Sequence, residues 1–143
     1  MSATPEIRAA SARFYNALNR MAAGDAAPMS DAWVRSDAVS AQHPIGGRDL
    51  GYHAVTASFA KVAGIAGGGD IRLEDQKIDA ASDMAVETGV ECGSLVIAGH
   101  TATIRHRVTN VYRRQDGEWR LAHHHTDMSQ AMLDILERLG AAA

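Results

Sequence analysis

The stretch Arg107-Val108-Thr109-Asn110-Val111-Tyr112-Arg113-Arg114-Gln115-Asp116-Gly117-Glu118-Trp119-Arg120-Leu121-Ala122-His123-His124-His125-Thr126 decides the fold class. Its β-branched and aromatic residues suit a pleated backbone, and Gln115-Asp116-Gly117 is a hairpin signal because Asp-Gly adopts the positive φ angles of a tight turn. The spacing predicts strands over 101–114 and 118–126. Just upstream, 71–79 and 84–98 read as two more strands, with a turn at 80–83 and a hairpin signal at Gly99-His100. Four successive strands joined in this way form an antiparallel sheet.

Before residue 64 the period is helical. Thr4 is placed as an N-cap and Pro5 suits the first helical position. Ile7, Ala10, Phe14, Leu18 and Met21 then recur at three- and four-residue steps, and Gly24 ends the run. A short helix is expected over 25–32 with Asp25 as its cap, followed by a strand over 38–43 and a turn at Pro44-Ile45-Gly46-Gly47. Asp49 is placed as the cap of a second long helix carrying Val55, Phe59, Val62 and Ala63. Gly67-Gly68-Gly69 reads as a connection, and 129–139 as a closing amphipathic helix with Met132, Ile135, Leu136 and Leu139 on one face. Helices followed by antiparallel strands define an α+β class, and a strongly curved sheet wrapped over the helices makes a cone with a cavity.

The 143 residues suit a single domain spanning 1–143. A net charge of −3, with no basic run longer than Arg113-Arg114, argues against a nucleic-acid partner. Cys92 is the sole cysteine, so no internal disulfide forms. The amino-terminal segment lacks the apolar core of a signal peptide, and no run approaches the length of a membrane span. The expectation is a soluble cytoplasmic protein without a membrane partner. Aromatics make up only 5% of the chain, so each has a place to be argued.

The chain resembles the SnoaL-like, ketosteroid-isomerase-like branch of the NTF2-like superfamily. The resemblance rests on Phe14-Tyr15-Asn16-Ala17-Leu18-Asn19 followed by Ala23-Gly24-Asp25, on His43-Pro44-Ile45-Gly46-Gly47 with Gly51, and on 107–114 and 117–125 in the same order. It implies a cone-shaped α+β barrel with a pocket at its open end and a homodimer formed through the sheet. The steroid isomerases place a general-base Asp before the proline of the strand-to-helix turn, where this chain has His43. Their phenolic donor falls at Phe14, one step from Tyr15, and their protonated Asp falls near Thr109. All three positions differ, so the residues argue against steroid isomerase chemistry in its usual form.

His43 is the first candidate base, since imidazole titrates near neutrality; its structural alternative is to bind the turn backbone. Strand alternation puts Trp119, Leu121, His123 and His125 on one face and Arg120, Ala122 and His124 on the other. Apolar Leu121 marks its face as the concave one, so His123 and His125 are expected in the cavity and His124 on the outside. Arg107 shares a face with Thr109 and, if it points inward, pairs with Glu87 or Glu91 or with an anionic ligand group. Asp127 either caps the last helix, together with Ser129, or orients His125. Trp33, Tyr15 and Phe59 are expected to line the interior and contact a ligand.

The leading functional reading is a cofactor-independent enzyme of the isomerase, cyclase, lyase or hydrolase type, acting on a small organic molecule in a mainly hydrophobic pocket. His43 is its base, His125 its acid or second base and Arg107 its oxyanion stabiliser, with His123, Trp33, Tyr15, Phe59, Thr109 and Asp127 as ligand contacts. Two alternatives stand beside it: a non-catalytic small-molecule-binding or dimeric association domain, and a metal-dependent enzyme using His43, His123 and His125.

Overall fold

Helix α1 (Thr4–Ala22) turns one face inward, and Ile7, Ala10, Phe14, Ala17, Leu18 and Met21 on that face are all buried. The computed structural model describes residues 3–142; Met1, Ser2 and Ala143, which the single-domain expectation includes, lie outside the described residues. A short α2 (Ala27–Asp31) leads to an edge hairpin of β1 (Ser40–His43) and β2 (Gly46–Leu50), and then to α3 (Tyr52–Ile65). Four long strands follow: β3 (Ala66–Ala80), β4 (Met84–Ile97), β5 (His100–Gln115) and β6 (Glu118–Thr126). Helix α4 (Gln130–Ala142) ends the described chain. The sheet order is β2-β1-β6-β5-β4-β3, antiparallel except where β1 runs parallel to β6. The sheet is curved and open, with β2 and β3 as its edges. This is the expected α+β, NTF2-like architecture.

The turn chemistry is visible in the backbone. Asp116 and Gly117 both have positive φ, 53° and 80°, as the two-residue turn between β5 and β6 requires. Three of the expected caps differ. Ala3, Ala26 and Gly51 occupy the N-cap positions of α1, α2 and α3, while Thr4 is already helical and Asp49 lies in β2. Asp25 still accepts the Ala27 N–H at 3.1 Å. The glycine run is no connection: Gly67, Gly68 and Gly69 lie in β3, which follows α3 directly and bulges opposite β4 between Ala66 and Gly69.

The core lies between the helices and the concave face of the sheet. Phe14 packs edge-on against Tyr15, Trp33 and Phe59, with ring centroids 5.0, 6.5 and 6.4 Å away. Burying such a ring stabilises the fold by about 1.5–3 kcal/mol, so this cluster anchors α1 and α3 over the sheet. Trp33 is fixed further by backbone bonds from its neighbours, Val34 N–H to the Leu121 carbonyl and Leu121 N–H to the Ala32 carbonyl.

One extra residue changes the face of the histidine run. Val111 pairs with His123 and Tyr112 with Leu121, which leaves Ala122 bulged out of register. A bulge shifts the alternation by one position. Trp119 and Leu121 point into the core as expected, but beyond Ala122 it is His124 and Thr126 that are buried. His123 and His125 therefore face outward, which reverses the expectation for all three histidines. On β5 the alternation is unbroken. Ala102, Ile104, His106, Val108, Asn110 and Tyr112 are buried, so Arg107 and Thr109 lie on the outer face and Arg107 pairs with neither Glu87 nor Glu91.

Candidate active site

The concave face encloses a cavity of about 60 Å³. Leu18 and Met21 of α1, Phe59 of α3, Leu95 of β4, Ile104 of β5 and Met132 of α4 supply most of its apolar wall. Four titratable residues line it as well: His43, His106, His124 and Glu91. No lysine or arginine is among its lining residues.

His43 ends β1 just before the Pro44 turn. Its Nε2 lies 2.8 Å from Asp49 Oδ2 on the adjoining β2, and its ring meets the Phe59 ring edge-on at 5.1 Å. With Nε2 donating to the carboxylate, Nδ1 is the acceptor of the neutral ring. The carboxylate orients the imidazole and would stabilise it once protonated.

His124 lies beside His43 on the neighbouring strand β6, ring centroids 6.4 Å apart. Its Nδ1 lies 2.6 Å from Asn110 Oδ1. Asn110 uses its amide to donate to Tyr15 Oη at 3.1 Å and to Glu87 Oε1 at 3.0 Å, so its oxygen is the acceptor and His124 carries its proton on Nδ1. Complete burial pushes the His124 pKa down to about 4, outweighing the attraction of Glu91. His124 is therefore neutral at pH 7, with a basic Nε2.

Two buried carboxylates are held from several sides. Glu91 Oε1 is 2.6 Å from His106 Nε2, and Glu91 Oε2 accepts the Tyr15 hydroxyl at 2.9 Å. Burial works to raise the Glu91 pKa, but the bond from His106, the nearby His124 and His106 and the bond from Tyr15 prevail and hold it below the usual carboxylate range. Burial, with Glu91 nearby, raises the Tyr15 phenol, so it is a donor and not a base. Glu87 accepts from Gln76, Asn110 and the Tyr112 hydroxyl at 2.7, 3.0 and 2.8 Å.

Of the nine candidate residues, the cavity takes His43 and Phe59. Tyr15 sits behind it on Glu91, and Trp33 is fully buried in the ring cluster beside it. The other five lie on the outer face. Arg107 grips Asp127 through Nε at 2.7 Å and Nη2 at 3.0 Å, and it thereby draws the Asp127 pKa down to about 2. Thr109 and His125 line the same open groove as this pair. His123 bonds Ser40 Oγ through Nδ1 at 2.7 Å, and burial, then nearby His125, lowers its pKa. Asp127 does not cap α4; Ser129 does, its Oγ accepting the Met132 N–H at 3.3 Å. The three-histidine metal arrangement does not assemble, because His43 lines the cavity while His123 and His125 face the other way. Among the described residues, no group of three or more His, Cys, Asp and Glu is placed to hold a metal ion.

Sequence reasoning missed His106, Glu91's role and the inward turn of His124. The signal for His106 was present: residues 102, 104, 108 and 112 are apolar at period two, while 101, 103, 105, 107 and 109 are polar or charged. That pattern names the inner face and puts His106 and Asn110 on it.

A curved sheet over helices, with imidazoles and a carboxylate set in an apolar hollow, defines a small α+β pocket protein. Residues 7–130 match the SnoaL-like domain family, and the chain belongs to that family. Solved structures of similar shape include one from Streptomyces avermitilis, provisionally named a dehydratase of the NTF2-like family, with 25% identity, 90% of this chain and 97% of that one covered, and a TM-score of 0.75. Another, from Thiobacillus denitrificans, is provisionally named a calcium/calmodulin-dependent protein kinase type II association domain; it is 30% identical over 86% of this chain and 94% of that one, with a TM-score of 0.70. A third, from Novosphingobium aromaticivorans, is provisionally named a scytalone dehydratase and shares the fold at 12% identity, covering 90% and 86%, with a TM-score of 0.75. No curated protein matches the chain. No helix among the described residues is long and apolar enough to cross a membrane.

Proposed function

We propose that the protein is a cofactor-independent enzyme that moves a proton on a small organic molecule held in this cavity. The observation that carries the reading is the His43–Asp49 pair, 2.8 Å apart at the wall of a mainly apolar hollow. His43 removes a proton from carbon beside an oxygen function, and the Asp49 carboxylate stabilises the imidazolium. The same imidazolium returns the proton to a neighbouring carbon, which is isomerisation, or to a departing hydroxyl, which is loss of water. The dehydratase name carried by the 25%-identical Streptomyces structure favours the second outcome. Neutral His124 beside it accepts a hydrogen bond and fixes the substrate's orientation. It fills the place first assigned to His125. Arg107, paired with Asp127 outside, is not part of this scheme. We further propose that the outer sheet face forms a homodimer.

The test is direct. A panel of small β-hydroxy carbonyl compounds incubated with the protein in D₂O, with a chelator present, is followed by proton NMR for C–H exchange and loss of water. His43→Gln is expected to lower turnover by about 10²–10⁴-fold, the usual contribution of a positioned acid–base group. His124→Gln should lower it less, with its main effect on KM. Equal turnover by wild type and His43→Gln would refute the assignment.

A further inference from the structure

The cavity lining includes a buried imidazole that the proposed proton transfer leaves unused. His106 is 5% exposed and lines the hollow, yet its Nδ1 has no hydrogen-bond partner, whereas its Nε2 is fixed on Glu91 Oε1 at 2.6 Å. Glu91 already takes the Tyr15 hydroxyl on its other oxygen, so its two oxygens accept from two donors and Nε2 must be the protonated ring nitrogen. In the neutral ring Nδ1 is then a lone pair, and it has no partner in the protein. Buried polar atoms are almost always satisfied, and one left without a partner on a residue that lines a cavity points to a ligand group.

We propose that His106, held by Glu91, is the polar anchor of the cavity and selects a small uncharged molecule bearing a hydroxyl on an apolar carbon frame; the inference rests on the reading of this hollow as the substrate site. The remaining wall agrees with that choice. An anion would meet no lysine or arginine and would lie near the Glu91 carboxylate. Leu18, Met21, Leu95, Ile104 and Met132 offer only apolar contact to the frame. A volume of about 60 Å³ equals roughly two waters, so the occupant is small or displaces the flexible Met132 side chain on entry. A carbonyl oxygen offers no proton to Nδ1, and a hydroxyl does. Loss of water from a hydroxylated compound is one of the two outcomes of the proposed chemistry, so anchor and reaction point to one substrate class.

Three probes of similar size separate the cases: 2-butanol, 2-butanone and butanoate. They are titrated into histidine-¹⁵N-labelled wild type and followed by NMR. The expected result is that 2-butanol binds roughly fivefold tighter than 2-butanone, the usual scale of one net hydrogen bond, with butanoate weakest. The His106 Nδ1 resonance should move with the alcohol and stay with the ketone. The alcohol preference should vanish in His106→Phe. The wild-type resonance decides the matter even if that variant folds poorly. His43→Gln should keep the preference, so failure of the proton-transfer reading and failure of the anchor are separable. Equal binding of alcohol and ketone, tighter butanoate, no binding of any probe, or alcohol binding that leaves the His106 signal unmoved would each overturn the proposal.

Discussion

At the scale of single residues, the mainly apolar cavity holds polar groups that burial would normally expel. His124 is the clearest case, with its pKa pushed down to about 4 by burial against 6.5 in an unfolded chain. The folded protein therefore binds fewer protons than the unfolded chain between those values. Stability is full above pH 6.5 and falls as the pH drops toward 4, by up to about 3 kcal/mol from this residue. Urea denaturation at pH 7.0, 6.0, 5.0 and 4.5 should show that fall, and His124→Gln should flatten it. A wild-type stability that stays level over this range would mean that His124 is not held neutral. Asn110 makes the arrangement possible: its carbonyl fixes the His124 tautomer while its amide joins Tyr15 to Glu87.

At the scale of elements, two irregularities in the sheet decide what the cavity contains. The first is the Ala122 bulge in β6, which turns His124 inward and His123 and His125 outward. The second lies where β3 passes close to β4. Gly93 has φ 138°, and a side chain there would run into the Asp70 carbonyl. Both the backbone angle and the close approach require glycine. Gly93→Ala should cost roughly 2 kcal/mol or more, read as a lower urea midpoint at unchanged slope. An unchanged midpoint would show that the two strands can part at no cost. Because Glu91 lies two residues before Gly93 on the same strand, the same change should weaken ligand binding.

The elements themselves were largely legible. The three- and four-residue apolar steps of α1, the Asp-Gly turn and the four strand runs all reappear within a few residues of the expected positions. The glycine run was misread because three glycines signal a turn locally. In the sheet they sit where β3 bulges opposite β4, a pairing of residues far apart in sequence. Asp49 was misread in the same way. It was placed as a helix cap from its neighbours alone, and its carboxylate is taken instead by His43 across the β1–β2 hairpin.

At the scale of the whole molecule, the two faces of the sheet differ in what they carry. The inner one holds the cavity. The outer one carries the Arg107–Asp127 pair, Thr109, Val90 and His125 around an open groove, with Val86 exposed near the start of β4. Native mass spectrometry should give twice the chain mass, and Val90→Glu should give the single mass with the fold retained by circular dichroism. A monomeric wild type would remove the dimer proposal. What the residues determined by themselves was local: helix periods, turn chemistry, the order of elements and, through the alternation along β5, its inner face. What only the tertiary structure decided was which histidines share a cavity. His43, His106 and His124 come from three different strands, and the face of His124 depends on one bulged residue whose position is set by pairing with β5. Bulge position is a property of two strands in register, not of either alone, so no reading of one strand's pattern could fix it.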